Sequence, residues 1–175
     1  MTFSKNILLR SPVTEDGLGV WQLVKRCPPL DTNSSYCNLL QCSHFAGTSV
    51  IAESGDNIVG FISGYKLPDR LDTLFIWQVA VAEEARGLGL ASSMLTEILA
   101  RSACETTHYL ETTITRDNRG SWALFESLAT KLGVPCKSSP WLDKDKHFNG
   151  AHDSEALVRL GPFTHEISHT NRETI

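Results

Sequence analysis

The sequence has no apolar run approaching the ~20 residues that a membrane span requires, so no contact with a membrane is expected. Its first residues, MTFSKNILLRSPVTED, lack the long apolar region of an export signal and are expected to contain a first strand instead. Internal repeats, low-complexity blocks and Pro/Gly/Ser-rich linkers are also missing. The 175 residues therefore predict one folded domain over residues 1–163, followed over residues 164–175 by a flexible polar tail or by a segment that orders only on binding.

Cysteines are few, and their spacing does not suggest metal or redox chemistry. The five residues form an odd number, with no C-x-x-C pair and no Cys/His cluster at zinc-ligand spacing. We therefore expect no bound metal, a cytoplasmic location and reduced, mostly structural thiols at Cys27, Cys37, Cys42, Cys104 and Cys136.

Excess positive charge is also absent, because 16 Lys and Arg residues stand against 20 Asp and Glu residues, giving a net charge of -4. This balance argues against a protein that binds the phosphate backbone of nucleic acids. It suits a cationic small molecule without identifying one.

Hydrophobic periodicity predicts an α/β domain built around one mixed sheet, in the order β-α-α-β-β-β-α-β-α-β-β. Thr14 is expected to cap the first helix, and the apolar run 73–82 to form a strand that is buried on both faces. Gly133 is expected to close the last helix. Strands are predicted at residues 7–10, 49–53, 58–65, 73–82, 108–115 and 156–161, with a seventh strand in the order that is given no range. The turn Ser54-Gly55-Asp56-Asn57 predicts a β-hairpin between the second and third strands. Helices are predicted after Thr14, over 33–45, after Gly89 and over 118–133.

The most informative segment is RGLGLA, residues 86–91, which lies between the buried strand and the third helix. Small residues let a backbone approach a ligand closely, and the free amides at a helix N-terminus suit an anionic pyrophosphate. The segment has no following Lys-Ser/Thr pair and no G-x-G-x-x-G spacing, so neither an ATP-type loop nor a dinucleotide fingerprint is present. For the two glycines alone, a plain tight turn is an equally good explanation.

With the preceding strand, this segment resembles the acetyl-CoA motif of the GNAT superfamily, Gln/Arg-x-x-Gly-x-Gly/Ala. The resemblance implies a GNAT (acyl-CoA N-acyltransferase) fold, with a mixed, mostly antiparallel sheet of about six to seven strands and about four helices. It also implies that helix-start amides hold the pyrophosphate of acetyl-CoA and that strand main-chain groups pair with its pantetheine arm. The implied cofactor residues are Val79, Ala80, Val81, Arg86, Gly87, Leu88, Gly89, Leu90, Ala91, Asn118, Ser121 and Phe125.

The helix over 118–133 resembles a second part of the superfamily pattern, Asn-x-x-Ala/Ser-x-x-Leu/Phe-Tyr. Phe125 stands where many members carry a Tyr that can protonate the leaving thiolate, and phenylalanine has no proton to give. Tyr36 or a water molecule could replace it, or the thiolate could leave without direct protonation.

Over residues 6–163 the chain also resembles the diaminobutyrate N-acetyltransferases of ectoine biosynthesis, an osmolyte pathway. The most specific segments are CPPLDTNSSYCNLL and LETTITRDN, together with HFNGAHDSEALVRLGP near the end. The resemblance implies acetyl transfer from acetyl-CoA to the 4-amino group of L-2,4-diaminobutyrate, by a homodimer.

Two carboxylates are the main candidates for handling such a diamine. Asp31 follows two prolines and could aim into a cleft, although capping the helix that begins near Asn33 is the simpler explanation from sequence alone. Glu111 lies in the middle of a strand, on the face shared by Tyr109 and Thr113, which could simply be solvated. The resemblance favours Asp31 as a substrate anchor and Glu111 as the base, directly or through a water.

The remaining candidates depend more heavily on the resemblance. Trp77 could be a pocket wall or core filler, and His152 with Glu155 could be a substrate-contacting pair or surface residues. The complete predicted substrate set is Asp31, Tyr36, Trp77, Gln78, Glu111, Thr113, His152 and Glu155, with Glu111 and Tyr36 as catalytic candidates.

Two other functions stay open from the sequence. One is a GNAT acetyltransferase that acts on a different small amine, and the other is a module that binds acyl-CoA without catalysis, which the missing Tyr at Phe125 would allow.

Overall fold

The computed structural model describes residues 7–164 and contains a seven-stranded sheet with the order β1-β2-β3-β4-β5-β7-β6. β4 and β5 pair in parallel, whereas β1–β2, β2–β3, β5–β7 and β6–β7 are antiparallel, so the predicted mixed, mostly antiparallel sheet is confirmed. The strands are β1 Ile7–Arg10, β2 Val50–Ser54, β3 Asn57–Leu67, β4 Arg70–Val81, β5 Tyr109–Thr115, β6 Cys136–Leu142 and β7 Glu155–Leu160. The helices are α1 Gly17–Lys25, α2 Ser35–Ser43, α3 Leu90–Leu99, α4 Arg119–Leu132 and the single-turn α5 Lys144–Phe148, one more than expected.

The chain folds as two compact units. The first comprises the residues up to Lys66 together with Ile76–Cys104, and therefore contains α1, α2, α3 and the second half of β4. Its core includes the fully buried side chains of Leu23, Ile51, Phe61 and Met94.

The second unit comprises Leu67–Phe75 and the residues from Glu105 onward, and it contains the start of β4, the strands β5 to β7 and the helices α4 and α5. Its core is built from Leu110, Ile114 and Phe125.

The start of α1 differs from the prediction, because Thr14 does not cap it. Thr14–Asp16 forms a 3-10 turn, and α1 begins only at Gly17. The Asp16 carboxylate accepts hydrogen bonds from the Val13 amide at 2.7 Å and from both Nη atoms of Arg10 at 2.7 and 2.8 Å. The Arg10 guanidinium thereby lowers the pKa of Asp16, and this ion pair fixes the entry to the helix.

The alternative role of Asp31 as a helix cap is wrong, because α2 begins at Ser35 and the side chain of Ser34 caps it. Ser34 Oγ accepts from the amide of Cys37 at 3.2 Å. The preceding carbonyls are bound by side chains from other elements: Trp21 Nε1 donates to the Asn33 oxygen at 3.0 Å. These carbonyls belong to irregular backbone that lies before the helix.

The β2–β3 hairpin is confirmed, with a tighter turn than predicted, and β4 is longer than predicted. Gly55 takes the positive φ of 57° that this turn needs. β4 is buried from Thr73 to Ile76, but Trp77 is 45% exposed. The expectation that this strand is buried on both faces therefore fails at Trp77, and Trp77 is not core filler.

The predicted limits of α4 are confirmed by both of its caps. Asn118 Oδ1 accepts from the amide of Ser121 at 3.1 Å, and Gly133 closes the helix with a positive φ of 67°.

The polar tail expected over residues 164–175 lies, apart from Thr164, outside the described residues. In residues 7–164, no helix is both long and apolar enough to cross a membrane.

Close packing of α1 on α2 predicts that Gly17→Ala destabilises the protein. A Cβ atom at Gly17 would lie 2.6 Å from Leu39 Cδ2 and 2.9 Å from Leu39 Cα, so the two helices would have to move apart. We expect a loss of about 1–3 kcal/mol in the free energy of unfolding, measured by urea titration. Gly120→Ala on α4 is the matched control, because its nearest neighbour would lie 3.9 Å away. That control should be neutral or gain up to about 1 kcal/mol from helix propensity, and equal losses in both variants would contradict the packing argument.

Candidate active site

The glycine turn before α3 has the geometry of a ligand cradle. Gly87 and Gly89 adopt positive φ values of 76° and 71°, a region that favours glycine. Gly89 is the N-cap of α3, and a Cβ added at either glycine would meet no atom within 4 Å. The turn thus leaves open space directly in front of a helix N-terminus, where the amide groups and the helix dipole favour an anion.

The end of β4 is tied to this turn through the carbonyl of Val81. Arg86 Nε donates to the Val81 oxygen at 3.1 Å, and Cys27 Sγ donates to the same oxygen at 3.4 Å. The parallel ladder with β5 joins residues 73–75 to residues 109–111, and β4 continues beyond this ladder to Val81. The predicted cofactor strand and the glycine turn are therefore held as one rigid piece.

The loop that carries Asp31 is fastened to β4 by Gln78. Gln78 is 7% exposed, and its Nε2 donates to the Asp31 carbonyl at 3.1 Å. Within residues 7–164, the buried Gln78 Oε1 has no hydrogen-bond partner. The structure thus brings together two of the predicted substrate residues, through the backbone of one and the side chain of the other.

The aromatic candidates of the first unit are exposed. Tyr36 on α2 is 67% exposed, and Trp77 on β4 is 45% exposed. The Trp77 ring meets the ring of Tyr65 edge-on, with the ring centroids 6.3 Å apart. Trp77 is therefore available as the wall of a binding surface.

Glu111 is 1% exposed and is paired with two arginines, so the interpretation of its face as solvated is wrong for this residue. Its Oε1 accepts from Arg70 Nη1 at 2.8 Å and its Oε2 accepts from Arg70 Nη2 at 3.1 Å, a bidentate pair. Arg159 Nη1 also donates to Oε1. The pKa of Arg70 is raised, chiefly by this hydrogen bond to Glu111.

The three residues come from different strands, and the β5–β7 register explains why Arg159 meets Glu111. Arg70 reaches Glu111 from outside the β4–β5 ladder, in which Phe75 is the residue opposite Glu111. Arg159 on β7 lies directly opposite Glu111 on β5, and Arg70 is the first residue of β4. Neither arginine was among the residues predicted from the sequence. Arg159 did give a signal, because a cation between apolar neighbours in the strand EALVRL needs a partner.

His152 and Glu155 form the contact expected of a pair. His152 Nε2 lies 3.7 Å from Glu155 Oε1, and the imidazole packs on Phe148 with centroids 4.7 Å apart. Glu155 also lines an open cleft of ≈ 510 Å³ in the second unit, together with Arg116, Trp122 and Trp141.

The other predicted residues of the second unit have clear local roles. Thr113 lies on β5 and is partly exposed, whereas Phe125 is 2% exposed and fills the core. Asn118 and Ser121 form the cap of α4. No group of three or more His, Cys, Asp and Glu side chains within residues 7–164 could hold a metal ion, and the five cysteines, all in this part of the chain, form no disulfide bond. Burial raises the pKa of Cys42 to about 12.

A model of the acetyltransferase (GNAT) family matches residues 18–129 of this sequence. The chain belongs to the GNAT acetyltransferase family. It is 55% identical over 157 residues to the L-2,4-diaminobutyric acid acetyltransferase of Methylotuvimicrobium alcaliphilum, covering 90% of this chain and 91% of that relative. The enzyme of the same name from Vibrio parahaemolyticus is 51% identical over 157 residues, covering 90% of this chain and 87% of that relative. These relatives and the chain belong to one family.

Solved structures agree with this placement. The chain superposes with a TM-score of 0.88 and 36% identity on the diaminobutyrate acetyltransferase of Paenibacillus lautus, covering 93% of this chain and 99% of the other. That protein was solved in complex with its substrate L-2,4-diaminobutyric acid and coenzyme A. The ribosomal-protein-S18-alanine N-acetyltransferase of Escherichia coli has a TM-score of 0.70 at 15% identity, with coverage of 97% and 100%, and therefore shares the fold.

The buried charge network predicts that Glu111→Gln destabilises the second unit. The substitution keeps the size of the side chain but leaves two guanidinium groups without their shared anion. Because the side chains of Arg70 and Arg159 are 43% and 33% exposed, water compensates part of the loss. We expect about 1–3 kcal/mol less free energy of unfolding, measured by urea titration.

The control for this prediction is Asp153→Asn, which breaks an exposed ion pair with Lys144 in the same unit. Such a surface pair should contribute little to the free energy of unfolding. Equal effects of the two substitutions would show that the Glu111 network does not stabilise the fold.

Proposed function

We propose that this protein transfers the acetyl group of acetyl-CoA to the 4-amino group of L-2,4-diaminobutyrate, giving N4-acetyl-L-2,4-diaminobutyrate and CoA. The observation that carries the proposal is the likeness to the Paenibacillus lautus enzyme, which extends over 93% of the chain at 36% identity and a TM-score of 0.88. The alternatives, another small amine or binding of acyl-CoA without catalysis, have no comparable support. The product belongs to ectoine biosynthesis in this proposal.

The glycine turn fits the pyrophosphate of acetyl-CoA. Its two positive-φ glycines leave the N-terminus of α3 open, and the space that a Cβ would enter is empty. Acetyl-CoA supplies the acetyl group as a thioester. In this proposal, amides from Leu88 to Ala91 bind the pyrophosphate, and main-chain groups of Val79 and Val81 bind the pantetheine arm. Arg86 keeps the turn in place through its bond to the Val81 carbonyl.

The amine substrate carries two ammonium groups and one carboxylate, so it needs partners of both signs. We propose that Asp31 binds an ammonium group, with Gln78 holding the Asp31 loop against β4. Tyr36 and Trp77 offer exposed aromatic surface in the same unit and stay proposed substrate contacts. In the second unit, Thr113, His152 and Glu155 stay the proposed substrate contacts.

The attacking amine must lose a proton, because a primary ammonium has a pKa of about 10 in water. Glu111 stays the proposed base, although both of its oxygens accept hydrogen bonds from arginines in this structure. Proton removal by Glu111 therefore requires an intervening water or a shift of one arginine. Phe125 is buried and has no proton to give, so Tyr36 or water stays the proposed source of the thiolate's proton.

Three further proposals concern the context of the protein. Homodimer formation is supported by β6, which lies at the edge of the sheet, is exposed along most of its length and presents Trp141 at 48% exposure. A cytoplasmic location is supported by five cysteines that form no disulfide bond within residues 7–164. We also retain one domain over residues 1–163 with a flexible tail after it, which truncation before Thr164 can test.

The proposed function predicts a preference for 2,4-diaminobutyrate over ornithine and lysine. A site that fixes both ends of the substrate sets its chain length, and misplacing the nucleophile by about 1 Å can cost on the order of 100-fold in rate. Release of CoA thiol with each amine gives the three kcat/KM values. Similar values would refute the diaminobutyrate assignment, and no release with any amine would favour a non-catalytic module.

The proposed cofactor cradle predicts that Gly89→Val abolishes CoA binding. The new side chain would enter the open space in front of α3, so the dissociation constant should rise at least ~100-fold by calorimetric titration. Gly55→Val is the matched control, because Gly55 also has a positive φ and open surroundings but lies in the β2–β3 turn. Both variants should lose stability, but only Gly89→Val should lose CoA. Unchanged affinity in folded Gly89→Val would remove the turn from the cofactor site.

A further inference from the structure

A row of charged residues crosses three neighbouring strands of the second unit. Glu111 on β5 lies opposite Arg159 on β7, and Arg159 lies opposite Lys137 on β6. Residues paired in this way project from the same face of a sheet, and like charges directly opposite each other destabilise it. The juxtaposition of Arg159 and Lys137 thus needs a reason beyond folding.

Arg159 is held rigidly while most of its hydrogen-bonding capacity is unused. Its Nη1 donates to the buried Glu111, and its Cζ lies 3.8 Å from the centroid of the Tyr109 ring. An arginine side chain has five N–H donors in a planar fork. Among the described residues 7–164, hydrogen bonds from the Arg159 side chain involve Nη1 alone, which leaves Nε and Nη2 for a ligand. The side chain is 33% exposed, so a ligand can reach it.

The negative charges near this row lie mainly on the side of Arg70. Asp69 Oδ2 is 3.9 Å from Arg70 Nε, and Asp72 acts on the same arginine. Glu111 is shared between Arg70 and Arg159. The surplus of positive charge therefore falls on Arg159 and Lys137, where an anion would be stabilised.

We propose that Arg159 binds the carboxylate of the amino-acid substrate, with Glu111 holding the guanidinium fork in place. The inference rests on the proposed function, because that function supplies a substrate with a free α-carboxylate. A guanidinium presents two parallel N–H groups that match a carboxylate, and a partner that fixes the fork beforehand lowers the entropic cost of binding. This subsite distinguishes an amino acid from a simple diamine of the same length.

The alternative is that Arg159 only neutralises Glu111. Arg70 already does so with a bidentate pair, and its own side chain is 43% exposed. A second arginine that contributes one N–H group to an already paired carboxylate adds little to stability. The unused donors and the facing Lys137 are better explained by a carboxylate ligand.

The test compares L-2,4-diaminobutyrate with 1,3-diaminopropane, which has the same two amines and no carboxylate. The wild-type protein should prefer diaminobutyrate by at least ~100-fold in kcat/KM. Arg159→Gln should lower kcat/KM for diaminobutyrate by ~10–100-fold, the range for a lost hydrogen bond to a charged group, through a higher KM. Its kcat/KM for 1,3-diaminopropane should stay within ~3-fold. Arg159→Lys keeps the charge but loses the fork, and should recover only part of the preference.

Arg26→Gln, which removes an exposed cation from the first unit, is the control and should leave kcat/KM for both amines unchanged. If Arg159→Gln lowers the rates with both amines equally, the arginine has a structural role and the inference is wrong. Calorimetric titration of both amines in the presence of CoA distinguishes failure of the carboxylate subsite from failure of the proposed function. If diaminobutyrate is not acetylated but binds more tightly than 1,3-diaminopropane, and Arg159→Gln removes this difference in affinity, the subsite is still supported. Equal binding of the two amines by the wild-type protein overturns it.

Discussion

A buried carboxylate constrains the second unit, because a charge that is 1% exposed must be compensated inside the protein. Glu111 meets this requirement with arginines that are distant in sequence, one at the start of β4 and one on β7. The contact with Arg159 requires β5 and β7 to keep their register, since a shift by one residue would turn one of the two side chains to the opposite face. This ion pair and the pairing of β5 with β7 therefore support each other.

In the first unit, side-chain donors that bind backbone carbonyls have the equivalent role. Trp21 binds the carbonyl of Asn33, Gln78 binds that of Asp31, and Cys27 and Arg86 share that of Val81. These carbonyls lie outside regular helices or at the end of a strand, where regular main-chain hydrogen bonding stops. The bonds fix irregular backbone at the positions where the proposed function requires a substrate loop and a cofactor turn.

Local signals in the sequence were sufficient to predict the elements that depend on neighbouring residues. The turn at Gly87 and Gly89 and the caps of α4 follow from what glycine and asparagine do within a few positions. The bond from Trp21 to the carbonyl of Asn33 could not be predicted in this way, because it joins residues twelve positions apart. The pairing of Glu111 with Arg70 joins residues 41 positions apart, and no local pattern in the sequence indicates it.

The two arginines that bind Glu111 also affect how this carboxylate could act as the base in the proposed reaction. An ammonium group that approaches Glu111 meets two guanidinium groups that already occupy its oxygens, so like charges oppose its approach. A neutral amine or a water molecule meets no such repulsion. If Glu111 takes part in proton removal, the proton is therefore more easily passed through water than taken directly from the ammonium. Recognition of the charged amine then falls to Asp31, whose loop is held by Gln78.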